Sequence, residues 1–190
     1  MRVIGGEFRS RVLKSLPGLE VRPTPDRMRE TLFNILAPAI AGRTFADIYA
    51  GTGAVGIEAL SRGADRAIFV EQSRPAADVI RENLEALGLE GRAHVRQARA
   101  KAVLPATVAD IFFLDPPYHL ENEYLSALTI LGETRPAPPP ELVIVQHDVR
   151  RVLDERYGRL ERTRVLKQGD NVLSFYRQSE SYAESDRRSL

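Results

Sequence analysis

The sequence predicts an α/β fold in which a mostly parallel, doubly wound sheet carries helices on both faces. Three observations predict it. From Phe45 onward, short apolar runs alternate with amphipathic stretches, which is the pattern of βαβ units. The first run ends in Gly51-Thr52-Gly53-Ala54-Val55-Gly56, a glycine turn that opens into a helical stretch. The last two runs, 162–167 and 171–177, follow each other with no helix between them, so they form an antiparallel hairpin at one edge.

Seven strands are expected, at 44–49, 67–71, 93–96, 110–115, 142–147, 162–167 and 171–177. The first five alternate with helices near 55–62, 75–87, 101–104, 121–132 and 149–155. Upstream, residues 9–21 leave no room for another βαβ unit. Gly5-Gly6 and Pro17-Gly18 mark this region as a turn-rich hairpin, an appendage on the core. Thr24-Pro25-Asp26 then opens a helix running to about Leu36: Thr24 caps it, Pro25 suits its first position and Asp26 faces its positive end. Pro136 to Pro140, four prolines in five residues, reads as an extended linker, and Ser179 begins a polar, frayed tail. The expected organisation is a hairpin extension over 1–21, a main domain over 22–178 and a flexible tail over 179–190.

Composition narrows the function classes. The 190 residues suit a single domain, and 43% hydrophobic with 28% charged residues is the composition of an ordinary soluble globular protein. No apolar run approaches the roughly 20 residues of a membrane helix. Met1-Arg2-Val3-Ile4-Gly5-Gly6-Glu7 lacks the apolar core of a signal peptide, so a cytoplasmic location is expected. The absence of cysteine removes disulfides, thiolate metal sites and thiol nucleophiles together. His94, His119 and His147 have no spacing typical of metal ligation; each is expected in a strand or loop, and no metal is expected. The net charge of +1 hides an asymmetry. Residues 1–29 carry seven basic and three acidic side chains, as do residues 150–168, whereas 30–149 carry ten and sixteen. Such runs commonly form only a solvated surface, but two basic segments flanking an acidic middle favour a polyanionic partner.

The chemistry resides in two constellations. In the first, Gly51, Gly53 and Gly56 match G-x-G-x-x-G between a strand and a helix, and Glu71 lies twenty residues past Gly51 at the end of the second strand. There a carboxylate can accept both hydroxyls of an adenosine ribose. Glycines alone do not separate a dinucleotide from S-adenosylmethionine. Asp47, before the turn, would repel a pyrophosphate but suits the cationic methionine end of S-adenosylmethionine, directly or through water; the plainer reading is a turn-capping acid. Tyr49, Thr52 and Gln72 border these positions and are placed with them in the cofactor site.

The second constellation is the apolar run Ile111-Phe112-Phe113-Leu114 ending in Asp115-Pro116-Pro117-Tyr118 at the carboxyl end of the fourth strand, where open α/β sheets place ligands. An exocyclic amino group conjugated to a purine is a poor nucleophile because its lone pair is delocalised. Asp115 and the Pro116 carbonyl can accept its two hydrogens and favour a pyramidal nitrogen. The prolines hold these acceptors in place beforehand, and Tyr118 can stack on the base. These four residues are the expected catalytic element, with Asp115 also counted in the cofactor site. The strand layout is that of class I methyltransferases.

The motifs also carry a resemblance. Asp-Pro-Pro-Tyr is the signature of amino-methyltransferases acting on DNA adenine, RNA guanine or glutamine side chains. Arg2-Val3-Ile4-Gly5-Gly6 with Arg9-Ser10-Arg11, then Arg22-Pro23-Thr24-Pro25-Asp26-Arg27-Met28-Arg29-Glu30-Thr31-Leu32-Phe33-Asn34, resembles the RsmD family. So do Ala59-Leu60-Ser61-Arg62-Gly63-Ala64 and Gly169-Asp170, and the likeness spans Arg2 to about Arg177. The resemblance implies a 16S ribosomal RNA guanine-N2 methyltransferase using S-adenosylmethionine, acting on small-subunit RNA or the assembled 30S particle. It implies that residues 22–34 lie over the cofactor and substrate pocket and that the N-terminal hairpin assists RNA binding. Arg2, Arg9, Arg11, Arg22, Arg27 and Arg29 are the expected RNA contacts, guanidinium groups being suited to phosphate. A monomer with no membrane association is expected.

One position departs from the pattern. Related enzymes carry an acid after the third strand to meet the adenine amino group, but this chain reads Val95-Arg96-Gln97-Ala98-Arg99-Ala100, leaving Gln97 or backbone groups for adenine. Rival readings stay open. A DNA amino-methyltransferase would need a target-recognition domain for which the chain has no length. A glutamine-modifying enzyme is disfavoured by the basic ends. A dinucleotide-dependent oxidoreductase leaves Asp115-Pro116-Pro117-Tyr118 unexplained, and a non-catalytic RNA-binding module needs neither constellation.

Overall fold

The computed structural model describes residues 1–16, 26–117, 120–133 and 139–179. The chain divides into two compact units, Met1–Ala100 and Lys101–Leu190. Calls on Pro17-Gly18, Arg22, Thr24-Pro25, Tyr118, His119, the start of the proline linker and the tail beyond Ser179 fall outside the described residues.

The first unit holds α1 (Asp26–Leu36), β1 (Thr44–Ile48), α2 (Ala54–Ser61), β2 (Arg66–Glu71), α3 (Arg74–Leu87) and β3 (Ala93–Gln97). Its strands run in the order β3-β2-β1, all parallel. The crossovers follow from sequence. Apolar β1 feeds the glycine turn, α2 is buried along its whole length, and α3 is amphipathic, burying Ala76, Ala77, Ile80, Asn83 and Leu84. The register sets Asp47 beside Phe69 and Glu71 beside Gln97, which brings the carboxyl ends of β2 and β3 level.

The described part of the N-terminal hairpin, residues 1–16, is less separate than the sequence suggested. A single antiparallel bridge, Arg2 to Val12, closes it around Gly5-Gly6, and Ser10 adopts a left-handed φ of 70°. It is a wall of the core rather than an appendage on it. Val3 and Leu13 are buried in the cluster formed by Ile57, Leu60, Phe69, Ile80 and Leu84, with Met1 and Phe8 packed against them.

The second unit contains β4 (Ile111–Leu114), α5 (Glu121–Glu133), β5 (Leu142–Asp148), β6 (Arg156–Tyr157), β7 (Leu160–Gln168) and β8 (Asn171–Gln178), in the strand order β4-β5-β8-β7-β6. The β4–β5 pair is parallel; the rest are antiparallel. Gly169-Asp170 closes the expected β7–β8 hairpin, with Gly169 at φ 60°. The division in the chain falls within the short helix α4 (Ala100–Val103).

The structure departs from the sequence expectation at two places. Eight strands are present among the described residues rather than seven, the short β6 being the addition. Residues 149–155 form a turn and an extended segment, not a helix. Their helical spacing is overridden because distant side chains take their backbone groups. The Leu153 carbonyl accepts from Arg162, the Asp154 carbonyl accepts from the Tyr176 hydroxyl, and the Asp154 N–H donates to the Tyr157 hydroxyl. Asp148 also folds the entry back, accepting both the Arg150 N–H and its guanidinium.

Candidate active site

The glycine turn is built from left-handed residues: Tyr49 at φ 69°, Gly51 at 56° and Gly53 at 80°. Glycine adopts such angles freely, whereas a tyrosine there costs on the order of 1 kcal/mol or more, strain of the kind that concentrates at functional turns. The third glycine has a different reason. A Cβ on Gly56 would stand 2.3 Å from the Phe69 ring, so only glycine lets α2 lie this close to β2.

Glu71 closes the turn. One carboxylate oxygen accepts the Gly51 N–H at 2.8 Å and the other accepts the Ser73 N–H at 2.8 Å. The twenty-residue spacing is thus a direct contact between the ends of β1 and β2. A carboxylate offers about four acceptor positions, so two remain for a ligand's hydroxyls. Gln97 is exposed at the adjoining end of β3, and Gln72 is exposed next to Glu71. Thr52 is half-buried, its carbonyl taking the side-chain amide of Asn83 at 3.2 Å.

Asp47 is engaged with the glycine turn itself. It is 2% exposed, and its carboxylate accepts the Gly56 N–H at 2.8 Å. The N-cap of α2 is Gly53, which has no side chain to satisfy the first helical amides, and Asp47 supplies the missing acceptor from β1. This bond is the one expected of a turn-capping acid.

Sequence reasoning did not anticipate the polar cluster that anchors the N-terminal segment to α2. Fully buried Glu58 accepts the Ile4 and Gly5 N–H groups at 2.8 Å each and the Arg62 guanidinium at 2.8 Å. The Ser61 hydroxyl donates to the Gly5 carbonyl at 2.6 Å and accepts the Phe8 N–H at 3.0 Å. Asn83 on α3 binds Lys14 through both its backbone groups as well as Thr52, joining the segment to the glycine turn. The available signal was Glu58 itself, an acid inside an otherwise apolar helix with Arg62 four residues on.

Arg29 belongs to this cluster, which corrects its assignment as an RNA contact. It is 0% exposed, donates to the Arg2 carbonyl at 2.6 Å, pairs with Asp26 at 3.1 Å and lies 3.8 Å from Glu58. Burial pulls its guanidinium below the ordinary arginine range, opposed by the Glu58 and Asp26 charges. A phosphate has no surface of Arg29 to meet. Arg2, Arg9, Arg11 and Arg27 are exposed, and Arg11 reaches the Ala86 carbonyl at 3.2 Å.

In the second unit, β4 is buried throughout and delivers Asp115 half-buried, Pro116 buried and Pro117 half-buried. The loop is held from α5. The Pro116 carbonyl accepts the Tyr124 hydroxyl at 3.0 Å, and the Pro117 carbonyl accepts the Leu120 N–H at 2.9 Å. Tyr124 is the residue that sequence reasoning missed here, since at its helical position it reads as core.

The basic segment over 150–168 is largely neutralised by its own neighbours. Arg150 pairs with Asp148 at 2.8 Å, Arg151 with Glu121 at 3.3 Å, Arg156 with Glu161 at 3.1 Å and Arg162 with Glu155 at 3.7 Å. Among the described residues no group of histidine and acidic side chains could hold a metal, and no helix is long and apolar enough to cross a membrane.

Residues 1–177 match the family described as Conserved hypothetical protein 95. The chain is 35% identical over 182 residues to YlbH of Bacillus subtilis, named as a candidate rRNA methyltransferase, covering 93% of this chain and 98% of that protein. It is 42% identical over 120 residues to the Ribosomal RNA small subunit methyltransferase D of Escherichia coli K12, covering 62% of this chain and 60% of that one. The solved structure of yhhF from Escherichia coli superposes with a TM-score of 0.81 at 33% identity, over 94% of this chain and 98% of that one. The architecture is thus the α/β class I methyltransferase fold with a mainly parallel central sheet. With a family match over nearly its whole length and these relatives beside it, the chain belongs to the RsmD family of methyltransferases.

Proposed function

We propose that the protein methylates the exocyclic N2 amino group of a guanine in small-subunit ribosomal RNA, with S-adenosylmethionine as donor. The observation that carries this reading is the Asp115-Pro116-Pro117 loop at the end of buried β4, where half-buried Asp115 precedes a Pro116 carbonyl fixed by Tyr124. The 42% identity to a ribosomal RNA small subunit methyltransferase supports the choice of RNA.

The first unit suits the cofactor by the chemistry of its donors. Glu71 is pinned by two backbone amides and keeps lone pairs for a ribose diol, while Gln72 and Gln97 offer amides at neighbouring strand ends. When bound, S-adenosylmethionine supplies a methyl carbon activated by a sulfonium.

In the second unit, Asp115 and the Pro116 carbonyl accept the two N2 hydrogens. This localises the nitrogen lone pair, which is otherwise delocalised into the purine, and stabilises the positive charge that grows on nitrogen as it is methylated. The carbonyl oxygen has two lone pairs; Tyr124 occupies one and the other serves the substrate. As the N–C bond forms the S–C bond of the donor would break and leave a neutral thioether; the nitrogen, now strongly acidic, gives its extra proton to the Asp115 carboxylate or to solvent, so no strong general base is needed. Tyr118 stacks on the base. Arg2, Arg9, Arg11, Arg22 and Arg27 meet the RNA phosphates in a cytoplasmic, monomeric enzyme.

The test is methyl transfer to small-subunit particles from a strain lacking the enzyme, and to naked 16S RNA, with mapping of the product. One guanine bearing an N2-methyl group is expected. A methylated adenine, or no transfer to either substrate, would overturn the reading.

A further inference from the structure

We infer that Tyr124 and Arg151 form a positioning pair that sets the Pro116 carbonyl for the amino group being methylated; this rests on the proposed guanine-N2 reaction. The Tyr124 side chain is 1% exposed, and its hydroxyl donates to the Pro116 oxygen at 3.0 Å. That oxygen is one of the two acceptors proposed for the N2 hydrogens. A tyrosine hydroxyl buried on a helix could have been satisfied by any nearby carbonyl. Here it is spent on the one peptide group that the chemistry uses.

Arg151 fixes the tyrosine in turn. Its guanidinium lies over the Tyr124 ring at 4.5 Å from the centroid and pairs with Glu121, one turn earlier on α5, at 3.3 Å. The ring is therefore covered on one face by a planar cation that is itself held to the same helix. Arg151 is largely buried, its side chain 17% exposed, which separates it from a phosphate-binding arginine although it lies in the basic segment over 150–168.

The pair acts through geometry. The tyrosine hydroxyl holds one lone-pair direction of the Pro116 oxygen, so the other is presented in a constant direction. The two prolines fix the backbone on either side but leave the peptide plane free to tilt, and the Tyr124 bond removes that freedom. Neither residue touches the reacting atoms. Their loss should lower turnover and leave binding of RNA and cofactor in place.

The experiment compares wild type, Tyr124→Phe and Arg151→Met on small-subunit particles, reading kcat, KM for each substrate, thermal midpoint and the salt dependence of RNA binding. Tyr124→Phe is expected to lower kcat about tenfold with both KM values unchanged. Arg151→Met should lower kcat by a smaller factor with the salt slope of RNA binding unchanged. Amide exchange at Asp115 and Leu120 should quicken in Tyr124→Phe, and this readout does not depend on which base is methylated. Unchanged kcat and unchanged exchange in Tyr124→Phe would overturn the inference while wild-type activity upheld the reaction. A wild type that methylates no guanine overturns the reaction and, with it, the role assigned to the pair. A reduced salt slope in Arg151→Met would return that arginine to the RNA.

Discussion

The two basic ends of the chain carry the same charge and are put to different uses. Residues 1–29 and residues 150–168 each have seven basic and three acidic side chains. In the second segment four arginines are closed by carboxylates at 2.8 to 3.7 Å. In the first, Arg29 is withdrawn into a buried cluster, while Arg2, Arg9 and Arg27 are exposed and have no side-chain partner among the described residues. The cluster around Glu58 holds the backbone that bears Arg2 and Arg9. The difference teaches that a charge count does not mark a polyanion surface. What matters is whether the fold supplies its own carboxylates, and one arginine can serve the rest by anchoring their backbone.

The largest effect that would break this comparison is loss of the anchor. Glu58→Ala leaves Arg29 buried without its nearest buried countercharge and strips the Ile4 and Gly5 amides of their acceptor. A loss of about 3 to 5 kcal/mol is expected in urea denaturation, with residues 1–16 becoming sensitive to protease. A loss below about 1 kcal/mol would show that the N-terminal segment is held by Val3 and Leu13 alone.

Next in size is the salt dependence of RNA binding. Replacing Arg2, Arg9 and Arg27 together with alanine should reduce the slope of log K against log salt by about 2 to 3, and replacing Arg150, Arg156 and Arg162 should leave it nearly unchanged. Equal reductions would erase the distinction between the two ends.

The smallest effect concerns His147, buried on β5 near the second basic segment. Its Nε2 lies 2.9 Å from the Ser174 hydroxyl and its Nδ1 lies 3.0 Å from the Asp148 carbonyl, so Nδ1 carries the proton and Nε2 accepts. Burial lowers its pKa, the Asp148 carbonyl opposes that, and the Arg151 and Arg162 charges add to it. The unfolded chain takes up the proton near pH 6.5 and the folded chain only at lower pH. Stability is therefore full above 6.5 and falls as the pH drops below it. Urea midpoints at pH 8 and pH 5.5 should show this for the wild type and less for His147→Gln; identical declines would remove His147 from the account.

Much of the site was legible because it depends on local rules. The alternation of apolar runs gave the strand positions, the glycines gave the turn, and the spacing to Glu71 became a 2.8 Å bond to Gly51. The unread parts depend on contacts between residues far apart in the chain. Arg29 has the sequence context of a solvated arginine, and only the packing of the N-terminal segment against α2 buries it. Residues 149–155 have helical spacing, but Arg162, Tyr157 and Tyr176 claim their backbone. Asp47 was read as either cap or ligand, and its bond to the Gly56 amide follows from the side-chain-less N-cap at Gly53.

Asp115 is proposed to serve the methyl transfer rather than the fold. The most direct test measures S-adenosylmethionine binding by calorimetry and methyl transfer to small-subunit particles for wild type and Asp115→Ala. Asp115→Ala is expected to keep cofactor binding while transfer falls by about 10²-fold or more. Transfer at the wild-type rate would contradict it.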